Sequence, residues 1–241
     1  MQAVHSSAVG IRHEAQTRSG IQRVGGAAGV VFGVVDLAVT AILIVSLSRS
    51  GAKPPFEANP AGFYDYLHAM LPVILPLMLV YTVAAIFVLV FVRALDERLR
   101  PVAPTASSIG ALFGYAGSVI LMLNFASFVL LEQSILGGDS RQVLEGMIPA
   151  WSVVTGTAGI VGGLLIVSWL LVVNWIAARR GGLPKALGYL GLVAGVVALA
   201  GPLLSVHGIP HLLANVWEIA AGAVLFLGTQ PAAGRKVADL P

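Results

Sequence analysis

The amino-acid sequence predicts an all-α fold, a polytopic membrane helix bundle with six transmembrane helices. Three observations predict it. The 241 residues are 57% hydrophobic and only 10% charged, with a mean hydropathy of +0.90, whereas soluble domains carry about 25% charged residues. Apolar stretches of about 20 residues, the length a bilayer demands, recur six times and occupy nearly the whole chain. Lysine and arginine, finally, segregate to alternate connections.

Residues 1–23 carry Arg12, Glu14, Arg18 and Arg23 without an apolar run, which excludes a cleavable signal peptide and reads as a polar N-terminal tail. The first span, about 24–47, opens on Gly25, Gly29 and Gly33. The second, about 66–92, holds Pro72 and Pro76, which should kink it and free carbonyls for other partners. The third, about 105–131, carries Gly110 and Gly114; the fourth, about 150–177, carries Gly159 and Gly163. Trp151 at its start suits a membrane boundary. The fifth, about 186–205, contains Gly191 and Gly195, and Pro210 introduces the sixth, about 211–229. Residues 230–241 form a C-terminal tail, so the spanning domain is 24–229. In lipid, burying leucine against leucine gains nothing, and close backbone approach at small residues drives helix association. These glycines therefore mark faces turned towards neighbouring helices. Gly114-Tyr115-Ala116-Gly117 and Gly188-Tyr189-Leu190-Gly191 begin the third and fifth spans alike. That similarity suggests three repeated helical hairpins; the alternative is chance resemblance among glycine-rich helices.

Arg12, Arg18, Arg23, Arg93, Arg98, Arg100, Arg179, Arg180, Lys185, Arg235 and Lys236 fall on one side, and only Arg49, Lys53 and Arg141 on the other. Positive charge accumulates on the cytoplasmic side, so both termini are expected in the cytoplasm, with the chain in the cytoplasmic (inner) membrane of a prokaryote. The outer connections, 48–65 and 132–149, should be irregular, interrupted by Pro54-Pro55, Pro60 and Gly137-Gly138-Asp139. Asp96 to Pro101 should form a tight inner turn of mixed charge. The pI near 9.5 reflects this topology; with no single basic patch, no nucleic acid is expected as a partner.

Two carboxyls lie deep in spans. An ionised group there costs at least ~2.5 kcal/mol, so such side chains face the bundle interior, pair or stay neutral. Asp36 shares a helical face with Gly29, Gly33 and Thr40, and Glu218 aligns with His211, Asn215 and Gly222. Asp36 and Glu218 should reach similar depth. With Asn215, Asn124 and Tyr81 they form a candidate proton- or ligand-binding centre; the structural alternative is that each carboxyl is neutral and ties helices together. A second candidate is a metal or haem site on the outer side from His68, His207 and His211, with Asp65 and Glu132 near in topology. Interface histidines without a ligand are the simpler account of that cluster.

Several chemistries are excluded. The chain has no cysteine, hence no thiolate metal site, disulfide exchange or cysteine nucleophile. Its lysines, Lys53, Lys185 and Lys236, all lie outside spans, so none offers a Schiff base within the membrane. His211 and Asn215 have the His-xxx-Asn spacing of rhomboid proteases, but no Gly-x-Ser nucleophile accompanies them and Ser168 lacks small neighbours. No phosphate-binding glycine loop occurs.

Leu183-Pro184-Lys185-Ala186-Leu187-Gly188, Gly191, Gly195, Trp217-Glu218 and Gly228 resemble a family of uncharacterised six-helix membrane proteins of bacteria and archaea, a domain of unknown function, mainly over residues 180–229. The resemblance implies architecture and no activity; the chain departs from it in placing Trp before Glu218 and in lacking an arginine in the third span. Two function classes follow. One is a non-catalytic membrane subunit or scaffold, the reading the residues favour; the other is a proton-linked small-molecule transporter or ligand-binding protein using Asp36 and Glu218. Expected partners are membrane lipid and either a second copy or another membrane subunit. No motif specifies a cofactor or an enzyme activity.

Overall fold

The computed structural model of the chain describes residues 2–50, 59–200 and 208–228. They form six α-helices and, among the described residues, no strand: α1 (Gln2–Ser50), α2 (Pro60–Leu99), α3 (Pro104–Leu136), α4 (Arg141–Arg180), α5 (Lys185–Ala200) and α6 (Gly208–Leu227). Gly20–Ser46 of α1 and the whole of α2, α3 and α4 are long and apolar enough to cross a membrane, while α5 and Leu212–Leu227 are shorter apolar helices. The protein is a membrane-spanning helical bundle.

Local chemistry sets the helix ends. Asn59 caps α2 by accepting a hydrogen bond from the Gly62 amide at 2.7 Å, and Pro60 occupies the first turn, where a missing N–H costs nothing. Pro104 does the same for α3, and the Ser140 hydroxyl accepts from the Val143 amide at 3.4 Å to start α4. Gly181 and Gly182, both at φ 89°, form the turn into α5 in a conformation that a side chain would strain.

The helices outrun the apolar stretches that announce them. Helix α1 continues back to Gln2, through what reads in sequence as a tail. Helix α2 passes through Pro72 and Pro76 to Leu99, so Asp96, Glu97 and Arg98 lie on its last turns rather than in a loop. Residues 137–140 alone connect α3 to α4, where sequence suggests an irregular segment from 132 to 149. Hydropathy marks the part of a helix that lipid surrounds; the backbone bonds run on until a residue such as Gly138, at φ 82°, ends them.

Each helix packs against its neighbours in the chain, and α6 returns to α1, closing a ring in chain order. Helix α2 also reaches α4 and α6 and lies nearest the middle. Towards the end bearing Arg98 and Arg179, the core is built on Phe91, Leu95, Trp169, Ile176, Trp217 and Leu225. The rings of Phe91, Trp169 and Trp217 meet with centroids 5.8 to 6.0 Å apart, the range in which edge-to-face contact is favourable. Asn174 is fully buried beside them, accepting from Trp217 Nε1 at 2.7 Å and donating to the Leu170 carbonyl at 2.8 Å. Gly191 of α5 lies directly against its amide, leaving no room for a Cβ. At this end Asp96 accepts from Ser107 at 2.7 Å and pairs with Arg100, while Arg98 donates to the Gly182 carbonyl at 2.8 Å. At the opposite end a second core joins Phe63, Leu67, Met70, Val129, Ile135, Leu144 and Ile148.

Candidate functional site

Small residues bring α1 against both α2 and α6. Gly25 faces Ala94 and Gly29 faces the Phe91 ring, both on α2; Gly33 faces Ile219 and the Asn215 carbonyl on α6. The next turn of α1 carries Asp36 into the same crevice. The Tyr81 hydroxyl of α2 donates a hydrogen bond to Asp36 Oδ1, and Thr40 Oγ1 lies 3.5 Å from that hydroxyl. Tyr81 is held in place by stacking on Phe125 of α3, with centroids 4.9 Å apart and planes 17° apart.

Glu218 enters from α6. It is buried, its Oε2 has no hydrogen-bond partner among the described residues, and it lies within electrostatic reach of both Asp36 and Tyr81. Asn215, one turn away, is also buried, with an amide nitrogen that has no partner among the described residues. Three helices thus place two carboxyls and a phenol together in a medium of low dielectric. Two ionised carboxyls within each other's influence would repel there; one proton held by either carboxyl, in addition to the phenol's own, removes the repulsion. The arrangement is suited to holding a proton and handing it on.

The remaining residues singled out by sequence lie elsewhere. Asn124 is next to Phe125 but turns towards α4, its Nδ2 3.6 Å from where a Gly159 Cβ would sit, and its Oδ1 is buried without a partner among the described residues. Gly110 packs on Val172, Gly114 on Val92 and Trp169, Gly191 on Asn174 and Gly195 on Leu171. Gly163, expected to meet a neighbour, has no atom of the described residues within 4 Å of its Cβ position; Gly162 instead lies under Leu121. The adjacent glycines point about 100° apart on the helix, and α3 packs on the face of Gly162. His68 is exposed on α2 and stacks on Tyr64, with centroids 6.1 Å apart. His207 and the side chain of His211 lie outside the described residues, and the described residues contain no group of three His, Asp or Glu side chains placed to hold a metal.

Asn174, whose partner Trp217 is 43 residues distant, carries no local signal in the sequence, whose pattern places Glu132 in a loop. Glu132 is a helical residue of α3, fully buried, with both carboxyl oxygens unpartnered among the described residues.

A family model described as a domain of unknown function (DUF4386) matches residues 57–230, which takes in α2 to α6 and leaves out the helix of Asp36. No curated protein and no solved structure matches the chain.

Proposed function

Since the chain belongs to the DUF4386 family, whose description assigns no activity, we propose from the site alone that it is a proton-linked membrane protein with Asp36, Tyr81 and Glu218 as its proton-binding centre. The observation that supports this reading is the convergence of these side chains from α1, α2 and α6, with Tyr81 donating to Asp36 and a buried Glu218 oxygen without a partner among the described residues. Ionisable groups inside a membrane are costly and mark ion or proton pathways. In this reading all six helices cross the cytoplasmic membrane of a prokaryote, with both tails inside. The distribution of Lys and Arg supports that orientation, and single cysteines introduced into the cysteine-free chain would test it by labelling from each side.

The test of function is proton flux into liposomes carrying an internal pH dye. Wild-type protein should admit protons faster than empty liposomes, and Asp36→Asn and Glu218→Gln should abolish the difference. Equal flux from all three proteins, folded to the same extent, would favour a second reading, a non-catalytic membrane subunit. That reading has its own support: Gly156 and Gly163 share a face of α4 on which a Cβ would meet nothing within 4 Å among the described residues, a small-residue surface on which another helix could pack closely.

A further inference from the structure

Glu132 lies in the second core, on the face of α3 that also carries Phe125, Phe128, Val129 and Ile135, all packed into that core. It is 0% exposed, and neither carboxyl oxygen has a hydrogen-bond partner among the described residues. The Trp151 indole of α4 packs edge-on against Phe128, with centroids 4.6 Å apart, and its Nε1 is likewise buried and unpartnered. Beyond this core, towards the helix ends, the charged groups satisfy one another. Arg141 bridges Asp65 at 3.0 Å and Glu145 at 2.5 Å, and its guanidinium lies over the Tyr64 ring. On the two helices packed against α3, the ionisable groups at this end are Tyr64, Asp65, Tyr66 and His68 of α2 and Arg141 and Glu145 of α4. None of them hydrogen-bonds Glu132.

Packing alone gives no reason for a carboxyl here. Leucine would fill a similar volume without a buried polar atom, and unpartnered buried polar groups destabilise a fold. The position also has a direction. Phe125, two turns away on α3, stacks on Tyr81, so Glu132 stands about 10 Å along the helix axis from the level of the central site, at 1.5 Å per residue.

We propose that Glu132 is a second proton-binding carboxyl, through which the Asp36–Tyr81–Glu218 centre exchanges protons with the side of the membrane bearing Arg141. This rests on the proton-linked reading above. The step is proton transfer alone: hydronium at the rim passes its proton, through water entering the bundle, to the buried Glu132 carboxylate and is left as water. Water molecules then carry the proton from the Glu132 carboxyl to the central carboxylate, restoring the Glu132 anion for the next proton.

Three measurements on the full chain in lipid test it, using Glu132→Gln and Glu132→Leu. Proton flux should fall by about tenfold or more in both, as for loss of a positioned acid–base group, while the melting temperature of Glu132→Leu stays level or rises. Infrared spectra at neutral pH should show a carboxylic acid C=O band that exchanges with deuterium and disappears in both variants. Flux lost in Asp36→Asn and Glu218→Gln but unchanged in both Glu132 variants would overturn this inference and leave the central site standing. Flux that follows Glu132 but ignores the central variants would overturn the central site instead. A fall in flux matched by a fall in melting temperature in Glu132→Leu would reduce Glu132 to a packing residue.

Discussion

Gly222→Ala probes whether close backbone contact between α1 and α6 positions the site. A Cβ on Gly222 would stand 2.7 Å from the Gly26 carbonyl oxygen and 2.7 Å from the Val30 amide nitrogen, about 0.7 Å inside the 3.4 Å at which ordinary contact begins. Both obstacles are backbone atoms, so no side chain can rotate away and the helices must separate. Overpacking of this kind costs about 1–3 kcal/mol. Alanine also favours a helix over glycine by about 1 kcal/mol, and Gly163→Ala supplies the matching control, since a Cβ there meets nothing within 4 Å. Helix propensity cancels between the two variants, which leaves a difference of about 1–3 kcal/mol, or roughly 2–12 °C in melting temperature for a chain of this size. Thermal unfolding followed by circular dichroism in one detergent measures it. Equal midpoints for Gly222→Ala and Gly163→Ala would refute the claim that backbone contact holds α6, and with it Glu218, against α1.

Further outcomes are expected. Tyr81→Phe keeps the stack on Phe125 but removes the donor to Asp36; stability should drop by about 1–3 kcal/mol, the range for losing a hydrogen bond to a charged group or leaving an acceptor unmet, read by chemical unfolding. Asn174→Ala leaves Trp217 Nε1 buried without an acceptor and should cost about 1–3 kcal/mol. Gly191→Ala, which sets a methyl against the same amide, should be no milder in the same assay. Arg141→Ala removes exposed pairs with Asp65 and Glu145. Exposed pairs are screened by solvent and contribute little, so its melting temperature should stay close to that of wild type. Hydrogen bonds to Glu145 and Asp65 raise the Arg141 guanidinium above its usual value, so its deprotonation breaks this pairing only at strongly alkaline pH, and a melting profile flat through neutral pH is expected.

The membrane bundle was legible because hydropathy reports what surrounds a helix, and six apolar runs leave few other solutions. Helical spacing placed Asp36 on the face of Gly29 and Gly33, and in the structure that face meets α2 and α6. Glu132 was not legible as a core residue. Followed by Gln133 and then Gly137-Gly138, it has the local character of a loop, yet the core that buries it comes from residues near 63–78 and 144–148. The bond from Trp217 to Asn174 was hidden for the same reason, since a one-dimensional pattern records a residue's own helix and not the helix it will meet. Gly163 shows the converse. Spacing indicates that small residues share a face, but which face is covered depends on partners that the pattern does not name.

The closure of α6 onto α1 has a consequence for how the molecule is made. About 180 residues separate Asp36 from Glu218, so at 5–20 residues per second the ribosome needs roughly 10–40 s to deliver the second carboxyl after the first. Through that interval the nascent chain has Tyr81, only 45 residues later, as the companion for Asp36. Insertion is therefore staged, with an early hairpin sheltering one acid and the last helix sealing the barrel of helices around both. A chain truncated after residue 200 should still enter the membrane, yet remain open to proteolysis along α1.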